Sequence, residues 1–135
     1  MTQITIKVKN AALVKKNMQD LRAEIPKISR DRILTAMKGI VREMQRYPPV
    51  PSGSRYIRTN RLKNNWKIVD REKGYRLDNR TPYTRYVVGG AKGDGQAWMH
   101  VGRWLLLADV VEYHVSKLPK TIEEHITFFA KGKGL

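Results

Sequence analysis

The chain reads as an α+β protein: an N-terminal strand and helix pair, a small antiparallel sheet and a C-terminal helix, joined by long flexible loops. Three observations predict this. Residues 3 to 9 alternate apolar and polar side chains with the period of two that a half-buried strand requires. Apolar side chains recur at three- and four-residue intervals from Val14 to Met44 and again beyond Trp104, the period of an amphipathic helix. Between those stretches, Trp66 to Asp78 alternates on either side of a turn at Glu72, Lys73 and Gly74, the pattern of a hairpin.

Each element has its own signal. In the first strand Ile4, Ile6 and Val8 share one side, and Asn10 can cap the helix that follows by accepting from a first-turn amide. Val14, Met18, Leu21 and Ile25 give a helix over 11–24 that ends near Pro26, because proline removes an amide donor and crowds the preceding turn. Ile33, Leu34, Met37, Ile40, Val41 and Met44 give a second, stronger helix over 27–46. Met37 and Met44 at this spacing are packing residues, not a cofactor box. Tyr47 to Ser54 holds three of the six prolines and reads as an extended connection.

A short helix over 58–64, capped by Thr59 or Asn60, leads into the strand that Trp66, Ile68 and Val69 begin; Tyr75 and Leu77 lie on the returning strand. Tyr83, Tyr86 and Val87 are expected to cover this sheet. Four glycines between Gly89 and Gly95 predict a flexible loop over 89–96. The most hydrophobic part, Ala97 to Leu107, leaves two readings open: ordinary core, or a surface that another subunit covers. A helix carrying Val110, Val111, His114 and Leu118 follows, is interrupted at Pro119, and resumes behind a capping box of Thr121 and Glu124 as a helical stretch carrying Ile122, Ile126 and Phe129. Residues 131–135 are expected to fray. No internal repeat divides the chain, so 1–135 is read as a single domain.

Composition narrows the function. Without cysteine there are no disulfides, thiolate metal sites or cysteine nucleophiles, as suits a chain made in a reducing cytoplasm. No run approaches the roughly 20 apolar residues of a membrane span, and the first ten residues lack the order of a secretory signal. His100, His114 and His125 have no zinc-ligand spacing, and no serine sits in a G-x-S-x-G elbow. The glycine-rich loop lacks the GK-[ST] of a phosphate cradle. The sequence therefore offers no catalytic residue, no metal site and no cofactor. A small basic ribonuclease would find its residue types here, but no spacing selects among them.

The strongest compositional fact is charge: 27 Lys and Arg against 12 Asp and Glu, a net +15 that favours polyanions and acidic surfaces. The basic residues gather in Arg55, Arg58, Arg61, Lys63, Lys67, Arg71, Lys73, Arg76, Arg80 and Arg85, interleaved with Tyr56, Trp66, Tyr75, Tyr83 and Tyr86. Such a mixture suits DNA or an acidic protein partner equally well.

Three blocks then stand in a recognisable order: Thr59-Asn60-Arg61-Leu62-Lys63-Asn64-Asn65-Trp66, Tyr83-Thr84-Arg85-Tyr86-Val87-Val88-Gly89-Gly90, and Ala97-Trp98-Met99 leading into the helix beyond Trp104. This order resembles the neck and minor tail-component family of tailed bacteriophages. There a helix pair precedes a T-G-R-L-like segment, a strand, a Y-A-x-x-V-E-x-G-T stretch, a glycine-rich loop, an apolar stretch and a C-terminal helix. Two positions depart from the pattern: Asn60 replaces the glycine, although asparagine tolerates the same left-handed backbone, and Val88 replaces the acidic residue. The resemblance implies a non-enzymatic structural protein of the virion, a neck or tail-completion subunit that forms a homo-oligomeric ring around the DNA passage at the head–tail junction. It implies as partners other head–tail connector and tail proteins and passing double-stranded DNA, bound without sequence specificity. Tyr83, Tyr86, Trp98, Met99 and Trp104 are the candidate subunit contacts. The alternatives are a free nucleic-acid-binding module and, behind it, a ribonuclease-type toxin.

Overall fold

The computed structural model describes residues 11–49, 53, 60–72 and 74–135. The expected strand over 3–9, its Asn10 cap, Thr59 and the basic candidates Arg55 and Arg58 lie outside that set, as does most of the proline-rich connection. The rest is mixed helix and strand, as the sequence predicts: α1 (Ala11–Met44), α2 (Arg61–Asn64), β1 (Trp66–Arg71), β2 (Gly74–Asn79), α3 (Thr84–Val88), a 3-10 turn (Trp98–His100), α4 (Leu107–Ser116) and α5 (Leu118–Gly132).

The expected helix pair is one helix. α1 runs unbroken for 34 residues with Pro26 inside it, about 51 Å at 1.5 Å per residue. Proline removes one backbone hydrogen bond, but it does not change the phase of the apolar stripe. Leu21, Ile25 and Ile28 before and beside it, and Met37, Ile40 and Met44 after it, keep the same three- and four-residue spacing, and Pro26 itself faces solvent. Packing of that continuous stripe offsets the cost of about 3 kcal/mol that an interior proline carries. The first turns fare differently: Leu13, Val14 and Met18 are exposed, although the pattern marks Val14 and Met18 as core.

α4 and α5 run back along α1. His114 meets Glu43 at 3.1 Å, and Lys133 meets Asp20 at 3.3 Å. Those two α1 positions are 23 residues apart, so the pair of C-terminal helices lines roughly 35 Å of α1. His114 fits because Gly39 lies beneath it; a Cβ there would come within 2.8 Å of the imidazole. The helix break falls at Lys117, and Pro119 sits in the first turn of α5, where its missing amide costs nothing. The Thr121–Glu124 capping box does not form, since Thr121 is already inside α5 and its hydroxyl donates back to the Lys117 carbonyl. At the other end the chain does not splay away: the Asn17 amide donates to the Lys133 carbonyl at 2.9 Å.

The two strands pair antiparallel, with Trp66 opposite Asn79 and Arg71 opposite Gly74. Alternation puts Trp66, Ile68, Asp70, Tyr75 and Leu77 on one face, which packs towards α1. Arg30 of α1 fastens it, pairing with Asp70 and lying 4.6 Å over the Tyr75 ring. Tyr83 and Tyr86 do not cover the sheet as expected. The segment winds into α3 instead, a change of period that turns Val87 and Val88 inward and leaves both tyrosines exposed.

The core sits at one end of the molecule, where Ile40, Met44, Leu62, Trp66, Val87, Val88 and Val110 pack together. A polar knot closes it. Thr81, 3 % exposed, donates its amide to Asn79 and accepts from the Asn65 side chain, while its carbonyl accepts from the Thr84 hydroxyl at 2.7 Å. Ile40→Ala is expected to cost about 2–5 kcal/mol, the range for emptying a fully buried aliphatic site. Met18→Ala should stay within about 0.5 kcal/mol, as a change at an exposed site does. Urea unfolding of the two variants checks both.

Candidate functional surfaces

The hairpin's second face carries the basic residues. Lys67 and Arg71 on β1 point to the same side as Arg76 on β2, because the register places Val69 opposite Arg76 and Lys67 opposite Asp78. All three cations are exposed, as are Lys63 on α2 and Arg80 beyond β2. Asp78 is the acidic exception on this face. Arg76, two residues earlier on the same strand, donates to it with bonds of 2.7 to 3.0 Å, and these hydrogen bonds hold the Asp78 carboxyl below its ordinary range. A two-stranded ribbon with cations on its outer face can follow a phosphate backbone or an acidic protein surface. Arg61 begins α2 beside this face. It follows Asn60, which has φ 58° and is the one non-glycine residue with positive φ among those described. The residue at the resemblance's glycine position thus takes the left-handed conformation a glycine would.

Arg85 belongs elsewhere. Its guanidinium pairs with Asp94 at 2.6 Å and closes the glycine-rich segment, in which Gly90 donates to the Asp94 carbonyl at 2.8 Å. Gly95 has φ 84°, and a Cβ there would run into the Arg85 side chain. A Cβ on Gly89, at φ 79°, would approach Leu106 to 2.7 Å. Gln96 then donates to the carbonyls of Val87 at 2.9 Å and Trp104 at 3.3 Å, and Ala97 donates to Tyr86 at 2.7 Å. These bonds fix α3 to the 3-10 turn.

On that scaffold stands an aromatic knob. Trp98 is 84 % exposed, and so are Met99, Val101 and Leu105 after it in the chain and Tyr86, whose carbonyl accepts from Ala97, to lesser extents. The stretch Ala97 to Leu107 is therefore not simply core. Trp104, Leu106 and Leu107 turn inward within it, and the half-buried Trp104 sets its ring edge-on to Tyr47 at 4.8 Å. Of the candidate contacts, the structure leaves Tyr83, Tyr86, Trp98 and Met99 at the surface and turns Trp104 in.

A third surface carries no motif. Phe128 on α5 is 81 % exposed, pointing away from the half-buried stripe of Ile122, Ile126 and Phe129. Helical spacing places Phe129 with Ile122 and Ile126, at i, i+4 and i+7, and turns Phe128 to the opposite side, as the packing of α5 shows.

Among the described residues no cluster of three metal-ligating side chains occurs, and no helix is long and apolar enough to cross a membrane. No protein-family model, curated protein or solved structure matches the chain. Its function is therefore argued from its own geometry.

The Asp78–Arg76 pair makes a pH prediction. A carboxyl whose folded pKa is depressed contributes stability above its unfolded pKa, and that contribution is lost as pH falls through the folded value. The Asp78 carboxyl is expected to titrate below the usual aspartate range, and Arg76→Ala should return its midpoint to that range. Carboxyl NMR titration of the two proteins reads this directly; an unchanged midpoint in the variant would refute it.

Proposed function

We propose that this chain is an assembly subunit, working through contacts with copies of itself and with neighbouring proteins rather than through a reaction. The role that fits is the one its sequence resembles: a structural virion protein of a tailed bacteriophage, a neck or tail-completion subunit placed as a ring at the head–tail junction. The observation that carries the reading is the knob. Large apolar side chains crowd the surface around Trp98 while the backbone beneath them is fixed by Gln96 and by the Arg85–Asp94 clamp. Exposed aromatic and methionine side chains on a pre-formed support are what subunit interfaces use. The basic ribbon supports a second part of the role. Lys67, Arg71 and Arg76 offer cations for phosphate contacts, which position a duplex and carry no sequence information, as suits DNA that passes and is not read.

That ribbon also favours a second reading, a free nucleic-acid-binding module. Solution mass across concentration and salt, with and without a short duplex, separates the two. The assembly reading expects species well above the 15.6 kDa protomer that grow with concentration. A fixed monomer whose DNA affinity falls with a log–log salt slope of about −3, roughly −0.9 for each of three phosphates neutralised, would replace it with the second.

A further inference from the structure

We infer that the outer face of the hairpin is a phosphate-backbone site whose anion position is held by the chain's own Asp78, so that a nucleic-acid phosphate binds by taking Asp78's place on Arg76. The inference rests on the duplex-contact part of the reading above and names what governs that contact. Register puts Lys67 directly opposite Asp78, with Arg76 two residues before it on the same strand and the exposed Arg80 two residues after it. One carboxylate thus stands among cations. Arg76 gives it the Nε and one Nη of its guanidinium, at 2.7 to 3.0 Å, and this side-on fork is one with which arginine also grips a phosphate. Those bonds act first in lowering the Asp78 carboxyl, and the charges of Arg76, Arg71 and Arg80 act in the same direction, so all three arginines lie within electrostatic reach of it.

The pair is built to exchange. The Arg30–Asp70 pair on the other face joins the sheet to α1, whereas Arg76 and Asp78 span two residues of a single strand and tie no elements together. Their side chains are 54 % and 29 % accessible, neither belongs to the buried core, and an exposed pair of this kind adds little to stability. A phosphate can therefore replace the carboxylate without disturbing the fold. The character of the face favours a phosphate backbone over an acidic protein, because protein interfaces are anchored by large apolar side chains at their centre. Among the described residues, none of the exposed large apolar side chains falls between 60 and 80. Cations are all that a phosphate backbone needs.

The test compares wild type, Asp78→Asn, Arg76→Ala, the two combined, and Glu72→Gln, which removes the same charge from the hairpin turn and leaves the Arg76–Asp78 bonds in place. Affinity for a short duplex of DNA or of RNA is read by fluorescence anisotropy at low salt, with circular dichroism to check the fold. Asp78→Asn is expected to bind about tenfold more tightly than wild type, as one charge-assisted fork is freed for phosphate, and Glu72→Gln to stay within about twofold. In the Arg76→Ala background, Asp78→Asn should gain no more than Glu72→Gln does. An Asp78→Asn gain no larger than that of Glu72→Gln, a loss of affinity, or a gain that persists without Arg76 overturns the exchange and leaves duplex contact standing. Binding of the RNA duplex alone keeps the phosphate site and removes passing DNA from the reading. If neither wild type nor Asp78→Asn binds either duplex, the phosphate site is overturned, and binding to poly-glutamate then assigns the face to an acidic protein.

Discussion

Ile40 and Met44 sit one turn apart near the end of α1, and the rest of the fold is arranged around them. Leu62 comes from α2, Trp66 from β1, Val87 and Val88 from α3, and Val110 from α4. Five of the described elements, α1, α2, β1, α3 and α4, bring their buried apolar side chains to this one place, and Leu77 of β2 packs half-buried against it. A helix of 34 residues that buries two of them has most of its length supported from one side only. α5 supplies that support with half-buried residues and contributes no buried one. The hairpin hangs from the same end, held to α1 by Trp66 inside the core and by Arg30 outside it. A two-stranded hairpin is marginal alone, so its basic outer face exists as a surface only because its inner face has α1 to rest on.

Much of this was legible in the sequence. The hairpin's strands and turn follow from alternation and from Gly74, and the α1 stripe from Leu21 to Met44 follows from helical spacing. Pro26 was not legible, because a sequence shows the bond proline removes and does not show the helix that packs alongside. α3 is a failure of period: Tyr83, Tyr86 and Val87 read as a sheet cover, yet five residues are too few to distinguish a strand from one helical turn. The break between α4 and α5 was read a few residues late for a similar reason, since a proline is as much at home opening a helix as ending one.

The surfaces divide in the same way. The outward set of Lys67, Arg71 and Arg76 could be read from strand alternation alone. Arg85 could not be separated from it, because its partner Asp94 is supplied by the turn of the glycine-rich segment. Phe129 could be read with Ile122 and Ile126 from helical spacing, which turns Phe128 outward, but spacing does not show that Phe128 stays 81 % exposed once α5 has packed on α1. Local spacing places a residue on a face; only tertiary packing says which face is left over.

Glycine in this chain carries two physical meanings that composition does not separate. Four glycines in seven residues signal backbone freedom when nothing else is known. Here Gly89 and Gly95 also have φ values that side chains avoid and stand where a Cβ would meet Leu106 or Arg85. Close approach is what they permit. It lets Arg85 lie across the segment to Asp94, and it lets Gln96 reach carbonyls on both Val87 and Trp104. The knob is thereby held in place before any partner arrives. An interface whose anchors are already ordered avoids part of the entropy cost of binding, so a small aromatic surface on this support can hold a neighbour that the same residues on a loose strand would not.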